Sequence, residues 1–203
     1  MKRNILLGAC ALALPAFFPA TAAAQAEKYL IDQYHTVPYF EVDHFGFATM
    51  RGRFDRATGK FSIDRAAKSG NVELVIPTGT VNTGDTDRDG RPRSRDEHLK
   101  NADFFNVQEF PNISFRSTRV VFKGDDPDTI EGNLTLLGVT KPVSLKLERW
   151  KCGPDIRTQG KRYQCGGNAT GSFKRSEFGM KYGLPNALGD DIKLWMSFYG
   201  FRQ

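Results

Sequence analysis

The stretch Ile130-Glu-Gly-Asn-Leu-Thr-Leu136, followed beyond Gly138 by Val143-Ser-Leu-Lys-Leu147, decides the fold class. Ile130, Gly132, Leu134 and Leu136 stand two apart, as do Val143, Leu145 and Leu147, with mostly polar residues between them. Successive side chains of a β-strand point to opposite faces, so this period gives each segment one apolar face and one solvated face.

The same period recurs outward in both directions. Tyr29-Leu-Ile31 begins the regular part of the chain. Phe40, Val42 and His44 share a parity opposite Tyr39, Glu41 and Asp43. Val72, Leu74 and Ile76 alternate up to Pro77, and Ile113, Phe115 and Ser117 alternate after Pro111. Ile192, Leu194, Met196 and Phe198 repeat the pattern near the C-terminus, after a stretch from Tyr163 to Phe173 rich in Gly and small residues. The segments starting at Arg51 and Lys60 flank Ala57-Thr58-Gly59, which predicts a hairpin. About eight to ten strands result, with one short helix predicted from Ser94 to Asn101. Strands following one another through short turns predict an antiparallel sheet, closed into a barrel or folded into a sandwich. The period does not choose between these. A barrel of about eight strands is the size that can hold one small guest.

The N-terminus reads as an export leader. Lys2 and Arg3 precede an apolar run from Ile5 to Phe18, broken by Pro15, and then the small residues Thr21 to Ala26. The run is too short to span a bilayer comfortably, and cleavage is expected after Ala26. The expected division is therefore 1–26 leader and 27–203 one folded domain. Leu7-Gly-Ala-Cys10 resembles a lipoprotein box, but the apolar residues continue past it, so Cys10 reads as part of the apolar run. Of the formal net charge of +6, Lys2 and Arg3 account for two, leaving +4 on residues 27–203. That excess suits an anionic head group or membrane surface and is too small and too mixed to indicate nucleic acid. Export places the chain in the periplasm, where Cys152 and Cys165 are expected to form one disulfide stapling a long loop.

Local chemical motifs are sparse. Asp85-Thr-Asp87-Arg-Asp89-Gly90, with Asp96 at the twelfth position, approaches the spacing of a calcium loop. Asp96 stands where a bidentate Glu belongs, and Arg88, Arg91, Arg93 and Arg95 offset the acidic charge, so a solvated, self-paired loop is expected. His35, His44 and His98 form no metal-ligand spacing. No nucleophile elbow, zinc-protease helix, phosphate-binding glycine loop or C-x-x-C occurs. Neither catalysis nor a cofactor or metal is expected.

Several segments together resemble the YceI-like family of lipid- or polyisoprenoid-binding periplasmic proteins. They are Tyr29-Leu-Ile-Asp32, His35-Thr36, Phe40-x-Val42-x-His44-x-Gly46, Met50-x-Gly52-x-Phe54, Arg95-Asp96-x-His98-Leu99, Ala102-Asp-Phe-Phe105 with Phe110-Pro-x-Ile-x-Phe115, Gly132-x-Leu-Thr-Leu-x-Gly-Val-Thr-Lys-Pro-Val143, and Arg175-Ser-x-Phe-Gly179. The resemblance implies an all-β, extended antiparallel, eight-stranded lipocalin-like barrel with one or two short helices. It also implies a polyisoprenoid or similar long apolar lipid, such as an isoprenoid quinone or fatty amide, held inside without chemistry. The Asp85–Ser94 loop and the Cys152–Cys165 pair depart from the family pattern, and both fall on loops.

On that reading, parity turns Phe40, Val42, Leu74, Ile76, Phe115, Leu134, Leu136 and Leu145 inward as the ligand wall, and His44, Arg175 or Arg95 is expected to meet a polar head. Neither nucleic acid nor stable membrane insertion is expected. A homodimer is one admissible assembly. The competing expectation is a periplasmic stress-response or protein-interaction module whose barrel is filled by side chains.

Overall fold

The computed structural model describes residues 26–203; the stretch read as a leader, with Cys10, lies outside these residues except for Ala26. The described chain forms strands β1 (Glu27–Ile31), β2 (Val37–His44), β3 (Ala48–Phe54), β4 (Thr58–Asp64), β5 (Ser69–Pro77) and β6 (Val81–Asn82). After helix α1 (Arg95–Leu99) come β7 (Asn112–Lys123), β8 (Asp126–Leu136), β9 (Val139–Pro154), β10 (Tyr163–Lys174) and β11 (Asp191–Arg202). All pairings are antiparallel.

Eleven strands make eight staves, because three staves are each broken once. β11 pairs with β1 through Tyr29↔Arg202 to Ile31↔Gly200, and with β2 through Val37↔Ser197 to Glu41↔Lys193, so β1 and β2 are one interrupted stave. β3 pairs with β2 and β6, while β4 pairs with β1 and β5, so β3 with β4 and β5 with β6 are the next two. The remaining five staves are single strands, each paired to its chain neighbour, and β11 returns to the first. The meander is thus a closed eight-stranded antiparallel barrel, and closure satisfies ladder groups that an open sheet would leave bare.

The hairpin expected at Ala57-Thr58-Gly59 does not form. β3 and β4 run on in one direction, kinked at Asp55–Ala57, and never pair with each other. Ala57 is fully buried, and a Cβ at Gly59 would lie 2.0 Å from the Glu73 carbonyl oxygen. Gly59 therefore marks the close approach of β5, which a sequence window cannot distinguish from a turn. A genuine two-residue turn is Leu137-Gly138, both at positive φ, closing the β8–β9 hairpin between Leu136 and Val139. Helix α1 is shorter than the predicted 94–101 but starts as expected: Ser94 and Glu97 cap each other's backbone N–H groups.

The two halves of the barrel differ. At the end carrying the 65–68 turn and the 155–162 loop, the interior is largely filled, with a small void of about 40 Å³ left among the side chains. Tyr29 stacks on Phe61 with centroids 4.7 Å apart, and Trp150 and Phe198 close on the same ring. Each such buried ring is worth about 1.5–3 kcal/mol. Cys152 and Cys165, expected on a loop, instead stand within strands: they face each other in register across β9 and β10 and are bonded, with Cα atoms 4.0 Å apart. Closing a loop of this length restricts the unfolded chain by about 3 kcal/mol. The other half, toward the 83–111 and 175–190 segments, is hollow.

A hollow half-barrel as candidate functional site

The hollow half encloses a cavity of about 460 Å³. Every residue assigned inward by parity lies on its wall: Phe40, Val42, Leu74, Ile76, Phe115, Leu134, Leu136 and Leu145. His44, Arg95 and Arg175 line it as well, toward the loop end. No bulge therefore reversed these positions; the irregularities lie elsewhere, at Ser117/Arg119, Val121/Phe122 and Asn168/Ala169.

Aromatic rings stay out of the lumen because glycines accept them. A methyl group built on Gly52 would sit 2.2 Å from Cζ of Phe40, its register partner on β2. One built on Gly132 would sit 2.4 Å from Cζ of Phe115. Both rings thus occupy space that a neighbouring side chain would otherwise fill, and they lie along the wall. The three atoms nearest an alanine methyl at position 52 all belong to the Phe40 ring, at 2.2–2.9 Å, so that ring must swing away. Gly52→Ala is expected to narrow the cavity and to lower its uptake of an apolar probe such as 1-octanol several-fold, with a stability loss of about 1–2 kcal/mol; probe titration and thermal unfolding check the two effects.

The cover comes from segments without strand periodicity. Leu99, Phe104 and Phe105 arrive from α1 and the turn after it, and Met180, Tyr182 and Leu188 from the 175–190 segment. Phe105 packs edge-on against Phe54, with centroids 5.2 Å apart. His98, Phe104 and Tyr182 form a three-ring cluster with centroids 4.9–5.2 Å apart. Sequence parity could not find these residues. The Phe104-Phe105 pair was visible only as part of the family-like segments. Ile192, Leu194 and Met196 also line the cavity; their alternation was legible, but nothing local tied it to the site.

The polar groups divide by how far their own neighbours occupy them. Arg175 is 2% exposed, and its guanidinium donates to three backbone carbonyls: Nε to Gly189 at 2.8 Å, Nη1 to Met180 at 3.1 Å and Nη2 to Leu188 at 3.2 Å. Burial pushes its pKa below the ordinary arginine value, and Asp190 partly offsets this. Arg175 therefore ties down the cover, a task different from the head-group role expected of it. Arg95 pairs with Asp85 at 3.4 Å, which makes it a local tie as well. His98 Nε2 lies 2.8 Å from Asp103. The His44 ring makes no hydrogen bond to another described residue and packs edge-on against Phe45. Of the three head-group candidates, His44 is the one whose ring nitrogens stay available. No carboxylate, serine or cysteine stands among the described lining residues.

The charged loop beside the mouth is self-paired. Arg91 grips Asp85 through two bonds of 2.7 and 2.8 Å, and the Asp96 carboxylate accepts from the N–H and hydroxyl of Thr83. No group of three or more His, Cys, Asp or Glu that could hold a metal occurs among the described residues. Arg88 grips Glu97, and with the Ser94 backbone N–H it holds that carboxyl at about 2, below the usual 4.5. A depressed carboxyl contributes stability that is complete above its unfolded value and is lost as pH falls toward the folded one. Unfolding temperature should therefore drop between about pH 4.5 and pH 2, and Glu97→Gln should drop less over that window, as a pH series of thermal melts would show.

Among the described residues no helix is long and apolar enough to cross a membrane. Residues 29–199 match the model of the YceI-like domain. The protein YceI of Salmonella arizonae is 35% identical over 206 residues, covering 100% of both chains. Among solved structures, BcnA of Burkholderia cenocepacia superposes with a TM-score of 0.62 at 16% identity, covering 83% of this chain and 98% of that one. A polyisoprenoid-binding domain from Saccharophagus degradans gives 0.61 at 16% identity, covering 86% and 98%.

Proposed function

This chain belongs to the YceI-like domain family, and from that premise we propose that its barrel binds and carries one long-tailed amphiphile, a polyisoprenoid or a lipid of similar shape, without catalysis. The observation that carries this is the apolar void within a closed barrel, where a solid scaffold would have met its own side chains across the centre. The void counts equally against the competing interaction module with a filled barrel. A related domain is described as polyisoprenoid-binding, which supports the ligand class.

Burial is the driving force. A tail that removes about 300 Å² of apolar surface from water gains of order 7 kcal/mol before ordering costs. Such contacts have no direction, so the wall selects for shape and greasiness, and the polar end is fixed at the mouth, where His44 offers ring nitrogens. The leader-like start of the chain supports export, so we place the protein in the periplasm, where the lipid would otherwise have to cross water between membranes.

Native mass spectrometry of protein purified from its own periplasm tests this. A co-purified lipid of defined mass is expected, released by organic extraction. Consistently empty barrels that also refuse added prenols would overturn it. Cell fractionation and the mature N-terminal sequence, expected to begin at Glu27, test the location.

A further inference from the structure

Beneath the main cavity, toward the filled end, lies a second void of about 40 Å³. Five residues face both spaces: Leu74, Phe115, Leu145, Ala169 and Met196. They come from five different staves, β5, β7, β9, β10 and β11. Leu74 is the register partner of Phe115, and Ala169 of Met196. The five therefore form one cross-sectional layer, a floor between an outer and an inner chamber.

The floor is unevenly packed. Leu74, Phe115 and Ala169 are 5%, 4% and 2% exposed. Leu145 and Met196 border the same two voids, yet both are only partly buried. Met196 is the more yielding of the two, since an unbranched thioether has several low-energy rotamers and re-packs readily. Below it, Trp150 lines the inner void, and its indole N–H has no hydrogen-bond partner among the described residues.

We propose that Met196, backed by Leu145, is a yielding floor that sets the tail length this barrel accepts. Short-tailed amphiphiles stop above it. Long-tailed ones push the Met196 side chain aside, join the two chambers and reach Trp150. This rests on the carrier function above and adds where length is discriminated. From Ile192 to Met196 the outer chamber follows β11 for four residue rises, about 13 Å, well short of an extended polyprenyl chain, so a long guest must either pass the floor or leave its tail in the mouth.

The protein carries two tryptophans, and Trp195→Phe leaves Trp150 as the sole emitter. In that background we would add ω-bromo-octanol and ω-bromo-eicosanol, whose terminal bromine quenches indole fluorescence on contact, and follow binding independently by native mass spectrometry. Both are expected to bind, and only the long chain to quench Trp150. Met196→Phe should abolish that quenching and weaken the long chain at least tenfold more than the short chain. Met196→Ala should strengthen quenching by the long chain. A long chain that binds without quenching Trp150, or a length preference untouched by both substitutions, would overturn the floor and leave the carrier function standing. Failure of both alcohols to bind would overturn the carrier function and the floor with it.

Discussion

Arg175→Met should lower the free energy of unfolding by about 3–5 kcal/mol, read from chemical denaturation. The estimate follows from three carbonyls, those of Met180, Leu188 and Gly189, each losing its donor inside the protein. A buried acceptor left unpaired costs about 1–3 kcal/mol, and partial entry of water reduces the sum. Methionine keeps most of the apolar volume, so lost packing contributes little. Lysine at the same position should recover only part of the loss, because a single ammonium cannot reproduce a planar fork aimed at three oxygens. A loss under about 1 kcal/mol would show that the cover does not depend on this tie. Since the same segment carries Met180, Tyr182 and Leu188 over the cavity, the variant should also release bound lipid faster than the parent.

Phe115→Arg should abolish lipid retention altogether. Phe115 is 4% exposed and faces both chambers, so a guanidinium there stands in the path of any tail. Taking an unpaired charge out of water is prohibitively costly, and the guest is therefore excluded while water and the arginine share the void. Two comparisons separate this from simple misfolding. Phe115→Leu should fold and keep its lipid. Arg93→Ala, which removes a half-exposed side chain whose nearest carboxylate, Asp103, is 3.6 Å away, should leave retention unchanged. Retained lipid in a folded Phe115→Arg protein, judged by circular dichroism and extraction, would refute the interior as the binding site.

Much of the site could be read from parity alone. The period-two pattern through Phe40–His44, Leu74–Ile76 and Leu134–Leu136 names the face of each strand, and the closed barrel turns those faces onto one void. What parity cannot register is level along the barrel axis. Leu147 and Leu145 share a face in the sequence, yet one packs in the solid half and the other borders the cavity. Emptiness itself depends on Gly52 and Gly132 lying beside aromatic rings of neighbouring staves, a relation set by register. The kink at Asp55–Ala57 was mistaken for a hairpin because Gly59 serves a close backbone approach. Arg175, one of three residues expected to meet a polar head, does line the cavity; its charge is visible in the sequence, while the three carbonyls it bonds come from residues 180–189, brought back by a loop with no period of its own.

The interrupted staves have one more consequence. β7 starts at Asn112, opposite Pro77, and β6 pairs with β3 alone, so above that level no ladder joins the third stave to the fourth. The 83–111 segment fills the gap, and backbone bonds such as Asp96 to Asp85, Phe105 to Leu99 and Val107 to Lys100 stay within it. Swinging it outward ruptures no strand pairing. In deuterium-labelling terms its amides form a low-energy opening unit of their own, exchanging well ahead of the staves, and the arrival of a guest registers there as slowed isotope uptake while the rest of the wall stays silent.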